Sequence, residues 1–398
     1  MMTSSDVIVV GSGLIGTSIA YRLAHAGYSV TVLDQAAPGA GASGSCDQAI
    51  FLQSKKPGVH MELALSSRSL FDTLEDELDA DLEFKADGGM VAIENEQQWA
   101  FMESFVARQR EAGIRIDLLD RAEARQAQPL LADSIAGATF SPMDAEISPL
   151  LLNAAYATAA ERMGVKLIRN AEVHQVIDDG TAVCGVVTAS SSYSADVVIN
   201  AAGPHAGRLA RLAGVNTPIV PRRGAILITA PAPRQIRGVL LSAQYVAAKH
   251  LALRDEVPFG VGLSLGQTAA GNLLIGGSRE FVGFSTRVPE AVIQAIARHA
   301  LAIVPSLGNH RVIRMMRGFR PFTGDGLPII EVSRPGWVTA AGHEGDGIAL
   351  APLTGQLVLD LLRGSGPAHH FLDSLSSLRP SLSTQSQPHQ QIATGDAR

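Results

Sequence analysis

In the N-terminal part of the chain, two short apolar runs flank a segment whose apolar residues recur at helical spacing. Residues 6–10 read DVIVV, and a short, continuous, β-branched run is typical of a buried parallel strand. Ile15, Ile19 and Leu23 then recur at helical spacing, and a second strand pattern, SVTVLD, ends on Asp34. The pattern therefore predicts strand, glycine turn, helix and strand within about 30 residues.

The same analysis predicts elements along the rest of the chain. Ser148 and Pro149 form a helix start, with a capping serine and a proline at the first helical position. The predicted helices span about 62–80, 95–113, 149–163 and 289–303, and the predicted strands are GGMVAIE, VKLI, AEVHQVI, CGVVTA and DVVINAAG. Near the C-terminus, WVTAAGHEGDGIALAPLTGQLVLDLL repeats the design of strand, glycine turn and helix.

Segments of nucleotide-binding type thus occupy the beginning, the middle and the end of the chain, with a strand-rich region inserted. We expect an α/β fold in which a discontinuous Rossmann-like domain holds an inserted α+β substrate domain with a mostly antiparallel sheet. The expected ranges are 1–85, 146–215 and 316–365 for the first domain, 86–145 and 216–315 for the second, and 374–398 for a polar, disordered tail.

Composition excludes several classes of function. The 398 residues favour two domains, and the net charge of −6, without any basic run, argues against nucleic-acid binding. Two cysteines, Cys46 and Cys184, are too few for an iron–sulfur cluster or a four-cysteine zinc site held by this chain alone. The eleven histidines form no metal-ligand pattern, so no metal site is expected.

The first apolar run has no positive flank, and glycines interrupt it, so we do not interpret it as a signal peptide. The chain also lacks an uninterrupted apolar stretch of about 18 residues that would span a bilayer. We expect a cytoplasmic protein without a transmembrane segment.

The segment GSGLIG, from Gly11 to Gly16, has every context of a dinucleotide-binding fingerprint. Gly11 permits the tight turn, Gly13 lets the backbone approach a pyrophosphate, and Gly16 lets helix and strand pack closely. The helix N-terminus offers free N–H groups to phosphates, and Asp34 can accept both ribose hydroxyls. The candidate cofactor residues here are Gly11, Ser12, Gly13, Leu14, Ile15, Gly16 and Asp34. An acid at Asp34 suits NAD and FAD alike, so the fingerprint leaves both open.

Several ordered motifs together resemble the D-amino-acid oxidase superfamily of FAD oxidoreductases. They are GSGLIG with Asp34, GASGS, VVINAAGPHA, GFRPFTGDGLPII and AGHEGDGIALAPLTG, and the resemblance extends from Asp6 to about Arg363. FLQSKKPG and AGHEGDGI are more similar to the catalytic β-type subunits of heteromeric amino-acid or opine dehydrogenases than to free-standing oxidases such as glycine and sarcosine oxidase. This similarity implies partner subunits that accept the electrons.

The resemblance implies a FAD site formed by several loops. Ala42 and Ser43 come from GASGS, Val173 would contact the adenine through its backbone, and Ala202 and Gly203 would close over the cofactor. Gly345, Gly347 and Ile348 would bring the last helix's N–H groups to the flavin, where the helix dipole favours negative charge. Some members of the superfamily that the chain resembles bind flavin covalently through a cysteine near this C-terminal motif or a histidine near the N-terminus. Here the C-terminal motif has no cysteine, and the loop after Asp34 has no histidine before His60, so we expect non-covalent FAD.

The resemblance also implies three substrate-site residues. Arg320 in GFRP would pair with a substrate carboxylate through two parallel hydrogen bonds, and the alternative is a structural ion pair, for instance with Asp325. Tyr245 would share the carboxylate or wall the pocket, and the alternative is a core aromatic. His343 would tune the flavin or help to deprotonate the amine, and a packed histidine is the alternative.

The predicted function is FAD-dependent oxidation of glycine, sarcosine, a D-amino acid, a proline-like imino acid or an opine. Hydride would pass from Cα to flavin N5, and the resulting imine would hydrolyse. The alternative is a FAD-carrying electron-transfer or structural subunit without amine chemistry of its own. The sequence does not separate oxidase from dehydrogenase, and it leaves open whether Lys55 and Lys56 are solvated or lie near the active site or a partner surface.

Overall fold

The computed structural model describes residues 3–250 and 257–383. The strands are β1 (Thr3–Val10), β2 (Val30–Leu33), β3 (Ala49–Ile50), β4 (Gly89–Ile93), β5 (Asp117–Asp120), β6 (Gly137–Ser141), β7 (Ala145–Glu146), β8 (Lys166–Ile168), β9 (Val173–Asp178), β10 (Val183–Thr188), β11 (Ser192–Asn200), β12 (Val220–Thr229), β13 (Val239–Ser242), β14 (Ser264–Gln267), β15 (Leu273–Gly276), β16 (Val312–Phe322), β17 (Ile329–Arg334) and β18 (Trp337–Ala341).

Helices cover both large sheets that these strands form. They are α1 (Leu14–His25), α2 (Val59–Leu70), α3 (Leu74–Leu78), α4 (Glu96–Glu111), α5 (Arg121–Ala127), α6 (Pro149–Arg162), α7 (Ala206–Leu212), α8 (Ala243–His250), α9 (Glu290–Ile303), α10 (Gly347–Arg363) and α11 (Pro380–Ser383). The predicted helix 62–80 is two helices, α2 and α3, joined by a 3₁₀ turn over Phe71–Thr73.

The first sheet contains the N-terminal strand–helix–strand unit. Its strand order is β17-β18-β11-β1-β2-β8, and β9 and β10 extend it beside β11. The pairs β18–β11, β11–β1, β1–β2 and β2–β8 are parallel, so the carboxyl ends of these strands meet at one edge. Apolar residues of α1, α6 and α10 pack on one face, and Trp337 with apolar residues of β9–β11 fills the other. Both faces are buried, which explains the continuous apolar strand pattern.

The second sheet has the order β16-β12-β15-β14-β13-β4-β6-β5. Its pairs are antiparallel except for β13 with β4, and α9 packs its apolar face against it. Strands β12 and β16 pair along nearly their whole length, with Arg222 opposite Arg320. The α/β fold with two large mixed sheets confirms the predicted fold class.

The division of the chain into domains remains a prediction, but two of its boundaries can be compared with the elements. Residue 316 falls inside β16, which pairs with β12 on both sides of that position. Residues 374–383 differ from the predicted disordered tail: Leu375 is fully buried, and Arg379 forms an ion pair with Asp325 at 2.6 Å. Leu375 and Arg379 anchor this polar segment together with hydrogen bonds from Ser376 and Ser377 to Glu331 and from Ser381 to Asp325, and composition does not reveal such contacts. Residues 384–398 lie outside the described residues.

Candidate active site

A cleft of about 480 Å³ lies between the carboxyl edge of the parallel strands and the β12–β16 ribbon. Its wall at one end includes Asp34 and Val173, and at the other end Ile226, Tyr245 and Arg320. The predicted residues that line the cleft are Gly11, Gly13, Leu14, Ile15, Asp34, Ala42, Ser43, Val173, Ala202, Gly203, Tyr245, Arg320, His343, Gly345, Gly347 and Ile348. Residues far apart in the sequence therefore share one cavity.

Two predicted cofactor residues, Ser12 and Gly16, lie behind the cleft wall. A Cβ on Gly16 would lie 1.8 Å from the carbonyl oxygen of Gly11, so only glycine allows α1 to approach the turn this closely. Ser12 donates from its N–H (2.6 Å) and from its hydroxyl (2.8 Å) to the Asp34 carboxylate. Both residues support the turn and the acid rather than form the cavity surface.

The glycine turn has the form that a pyrophosphate requires. Gly11 has a φ of 113°, and a Cβ there would lie 2.4 Å from the carbonyl oxygen of Ala201. At the start of α1, Gly13 provides no side-chain cap, and a Cβ on it would lie 3.0 Å from Ser43 Oγ. The N–H of Leu14 donates to the Ser43 hydroxyl at 3.0 Å, and the close backbone turn at the N-terminus of this 12-residue helix fits a dinucleotide phosphate.

Asp34 is held in place at the end of β2. Its Oδ2 accepts both hydrogen bonds from Ser12, and its Oδ1 accepts from the N–H of Ala36 at 2.8 Å. Because each carboxylate oxygen can accept more than one hydrogen bond, capacity remains for ribose hydroxyls. Asp34 lines the cleft beside Gly11 and Val173, as an adenosine-binding acid requires.

The N-terminus of α10 reaches the cleft from the opposite side, through Gly345, Gly347 and Ile348. Asp346 precedes the helix but does not cap it, because its carboxylate pairs with Lys55 and Lys249, each at 2.8 Å. Although burial opposes ionisation, these two lysines hold the pKa of Asp346 far below its usual range. The helix N–H groups therefore remain directed to the cavity, where they can stabilise negative charge.

Lys55 is thus a buried residue near the cleft rather than a solvated one, with 3% of its surface exposed. Burial lowers its pKa, and the Asp346 carboxylate opposes that shift. Lys56 is only partly buried. Of the two neighbouring lysines, Lys55 therefore joins Lys249 and Asp346 in the ion pairs at the start of α10.

Arg320 extends from β16 into the cleft with a guanidinium that pairs with no carboxylate among the described residues. Its Nη1 donates to the carbonyl oxygen of Ser278 at 3.0 Å. Gly224 on β12 makes room for the side chain, since a Cβ there would lie 2.3 Å from Arg320 Nη1. The alternative pairing with Asp325 does not occur, because Arg379 binds both oxygens of that carboxylate at 2.6 and 2.8 Å.

Two further buried arginines escaped the sequence analysis, one beside Tyr245 and one opposite Arg320. Arg279 lies with its Cζ 4.0 Å from the centroid of the Tyr245 ring, and Arg222 forms a buried ion pair with Glu344. Burial favours the neutral form of Glu344, but the positive charges of Arg222 and, to a smaller extent, Arg320 hold its pKa at about 2. Neither arginine has a local sequence signal, since only the pairing of distant strands brings them to this site.

His343 lines the cleft but is nearly fully buried, and its Nε2 lies 2.9 Å from the hydroxyl of Thr354 on α10. Burial lowers its pKa to about 3. A histidine with this pKa is neutral at physiological pH but is a weak base, which argues against a role in deprotonating the amine. The packed, hydrogen-bonded alternative describes its geometry.

The thiol of Cys46 is within hydrogen-bonding distance, 3.1 Å, of the carbonyl oxygen of Ser43. Burial raises the pKa of this thiol, so it is a poor nucleophile. Cys46 and Cys184 are both free. Among the residues that the structure describes, no group of histidine, cysteine and acidic side chains could hold a metal ion, and no helix is long and apolar enough to cross a membrane.

The fold and this cleft define a dinucleotide-binding α/β protein with a cationic pocket beside its nucleotide edge. The family model described as "DAO: FAD dependent oxidoreductase" matches residues 6–361. The chain belongs to this family. The predictions of family, of FAD as cofactor and of an FAD-dependent oxidoreductase are thereby confirmed.

Individual relatives match over most of their length. Glycine oxidase of Geobacillus kaustophilus is 30% identical over 369 residues, which cover 90% of this chain and 92% of that protein. Hydrogen cyanide synthase subunit HcnC of Pseudomonas aeruginosa is 28% identical over 404 residues, with 90% and 92% covered. A crystal structure of glycine oxidase from Geobacillus kaustophilus superposes with a TM-score of 0.85 and 27% identity, over 95% of this chain and 99% of that one.

Proposed function

We propose that this protein oxidises an amino acid or a secondary amino acid at its Cα–N bond, with non-covalent FAD. The observation that carries the proposal is the guanidinium of Arg320, which lies in the cleft without a carboxylate partner among the described residues. A partly buried guanidinium is stabilised by an anion, and a carboxylate matches its two parallel N–H donors. The relative named glycine oxidase acts, by its name, on such a compound.

The proposed roles follow from the contacts of each side chain. Arg320 binds the carboxylate and fixes its plane, because Ser278 and the space above Gly224 hold the guanidinium in one place. Tyr245 walls the same end of the cleft. FAD, when bound, supplies the acceptor for the electron pair of the Cα–H bond. The neutral amine that loses this hydride becomes an iminium ion, and loss of its N–H proton to solvent gives the imine. Water then hydrolyses the imine to an oxo acid and ammonia or an amine.

The cofactor roles are proposed from the same cavity. The turn at Gly11 and Gly13 with the N-terminus of α1 would hold the pyrophosphate, and Asp34 would hold the ribose. The N-terminus of α10, at Gly347 and Ile348, would face the flavin and favour its negative charge. Release of the yellow cofactor by mild acid or heat tests non-covalent binding, and a flavin that stays with the precipitated polypeptide contradicts it.

The second candidate function is a FAD-carrying subunit that relays electrons for a partner chain. The relative HcnC is, by name, a subunit, so we include partner chains in the proposal. We also propose a cytoplasmic location. Amine chemistry in this chain itself is favoured by the open Arg320 guanidinium, which an electron relay does not need.

Anaerobic bleaching of the flavin separates the two functions. The purified, FAD-loaded protein is mixed with glycine, sarcosine, D-amino acids, L- and D-proline and N-carboxyalkyl amino acids in turn, and absorbance near the flavin maximum is followed. Our proposal predicts rapid bleaching by at least one of them and none by the corresponding amine without a carboxylate. A flavin that none of these compounds reduces supports the electron-relay function.

A further inference from the structure

A second guanidinium lies beside the one that binds the carboxylate in the proposed function. Arg279 is only 8% exposed, and its Cζ lies 4.0 Å from the centroid of the Tyr245 ring, which lines the cleft. Its Nη1 donates a long hydrogen bond of 3.4 Å to the carbonyl oxygen of Gly260, and its Nε has no hydrogen-bond partner. No carboxylate lies within 4.0 Å of it in the part of the chain that the structure describes.

The backbone brings Arg279 and Arg320 to the same place. Arg320 donates to the carbonyl oxygen of Ser278, the residue that precedes Arg279. The N–H of Arg279 is in turn fixed to the carbonyl oxygen of Phe259 at 2.8 Å. Burial raises the pKa of Tyr245, Arg279 and Arg320 oppose this shift, and the carboxylates of Asp47 and Glu344 add to it, so both arginines lie near the Tyr245 hydroxyl.

The other buried arginines nearby already have partners. Arg222 pairs with Glu344, and Arg223 pairs with Glu280 at 2.7 Å. Within the described residues, neither Arg279 nor Arg320 has an ion-pair partner within 4.0 Å, and Glu344, which interacts with both at longer range, is already paired with Arg222. Arg320 lines the cleft, and Arg279 contacts the ring of Tyr245, which also lines it. Two like charges this close to a partly dry cavity are unfavourable unless an anion binds beside them.

A substrate with one carboxylate would match only one of these charges. We propose that Arg279 is a second carboxylate-binding residue of the cleft, so that the substrate class is an amino or secondary amino acid with two carboxylates. This inference rests on the proposed function for the reaction itself, but the binding preference can be measured without it.

Two pairs of small molecules test the inference. Iminodiacetate is sarcosine with a carboxylate added to the N-methyl group, and diglycolate and methoxyacetate are the ether analogues of that pair, without an amine to oxidise. Dissociation constants of the two ethers are measured by calorimetry with the FAD-loaded protein, and kcat/KM is measured for the two amines. We expect diglycolate to bind roughly 10-fold to 100-fold more tightly than methoxyacetate, and iminodiacetate to be preferred over sarcosine by a similar factor.

Arg279→Met removes the charge and keeps an unbranched apolar side chain. It is expected to reduce two ratios by roughly 10-fold to 100-fold: the ratio of the methoxyacetate and diglycolate dissociation constants, and the ratio of kcat/KM for iminodiacetate and sarcosine. An effect of the substitution that is equal for both compounds of a pair cancels in these ratios. Arg314→Met is the matched control, because Arg314 is exposed on the same strand as Arg320 and its loss also removes one positive charge. The control should leave both ratios within about twofold of the wild type.

Equal binding of the two ethers to the wild-type protein would overturn the inference, and so would an Arg279→Met protein that retains the full preference. The wild-type comparison decides the matter even if that variant does not fold. If no amine bleaches the flavin but diglycolate still binds selectively, the proposed function fails while the second carboxylate site stands.

Discussion

At the scale of single residues, Arg320 illustrates how neighbours determine the role of a charge. Among the described residues, Asp325 is bound by Arg379 and Glu344 by Arg222, so neither carboxylate forms an ion pair with Arg320. Gly224 and the carbonyl of Ser278 fix where its guanidinium lies. A cation that the surrounding structure positions but does not neutralise is a binding site for an external anion.

Replacing Arg320 by alanine tests this role. We expect kcat/KM for the best amino-acid substrate to fall roughly 30-fold to 1,000-fold, because a charged, bidentate hydrogen-bonded pair is lost. This decrease corresponds to a loss of about 2–4 kcal/mol of transition-state stabilisation. Arg320→Lys should recover only part of it, since an ammonium cannot bind a carboxylate in one plane. Steady-state kinetics with flavin content as the control measures both; an unchanged kcat/KM in Arg320→Ala removes the assignment.

At the scale of elements, the unit β1–turn–α1–β2 depends on close approach of backbone to backbone. Gly11 needs a positive φ, and Gly16 needs space, because a Cβ on Gly16 would lie 1.8 Å from a carbonyl oxygen. That atom belongs to the backbone of the turn and cannot rotate away as a side chain does. The turn, the helix N-terminus and the acid at the end of β2 are therefore held in fixed positions relative to one another.

Gly16→Ala should displace α1 from β1. We expect it to lower the free energy of unfolding by about 2–4 kcal/mol, through overpacking against the backbone, and to weaken FAD binding. Gly308→Ala is the control, because Gly308 is exposed, has no left-handed φ, and a Cβ there would meet only the end of the Leu301 side chain at 3.4 Å, so it should cost less than about 1 kcal/mol and keep the flavin. Denaturant unfolding and the ratio of flavin to protein absorbance measure these effects. Equal effects of both substitutions would contradict the packing argument.

At the scale of the whole molecule, buried histidines link stability to pH. Burial lowers the pKa of His343 to about 3, and lowers the pKa of His60 and His299 to about 4 each. Below the ordinary histidine pKa of about 6.5, the unfolded chain binds protons that the folded chain does not bind. Stability should therefore be full above about pH 6.5 and decrease as the pH falls towards 3.

The slope should approach about 1.4 kcal/mol per pH unit for each fully buried histidine. Thermal unfolding between pH 8 and pH 4 measures it, and His343→Gln should make the decrease shallower if the variant folds. His174→Gln, at an exposed position, serves as the control and should leave the curve unchanged. A melting temperature that stays constant from pH 7.5 to pH 4.5 would contradict the prediction.

The sequence alone determined the local units whose physics is local: the apolar run of β1, the glycine turn, α1 with its apolar period, and the strand that ends on Asp34. It also predicted α6 from Ser148 and Pro149, as well as α9 and α10, because helical spacing and caps are properties of neighbouring residues. Motif resemblance added the family and the residues that line the cleft.

Only the tertiary structure decided which charges are paired. Arg222, Arg279 and Arg320 come from three separate strands or loops, and Asp346 meets Lys55 across 291 residues of chain. Ion pairing depends on distances between groups that sequence spacing does not fix, so the sequence left the role of Arg320 with two alternatives and gave none for Arg279. The same reason explains the anchored segment around Leu375 and Arg379, since burial and a distant carboxylate, not local composition, hold it in place.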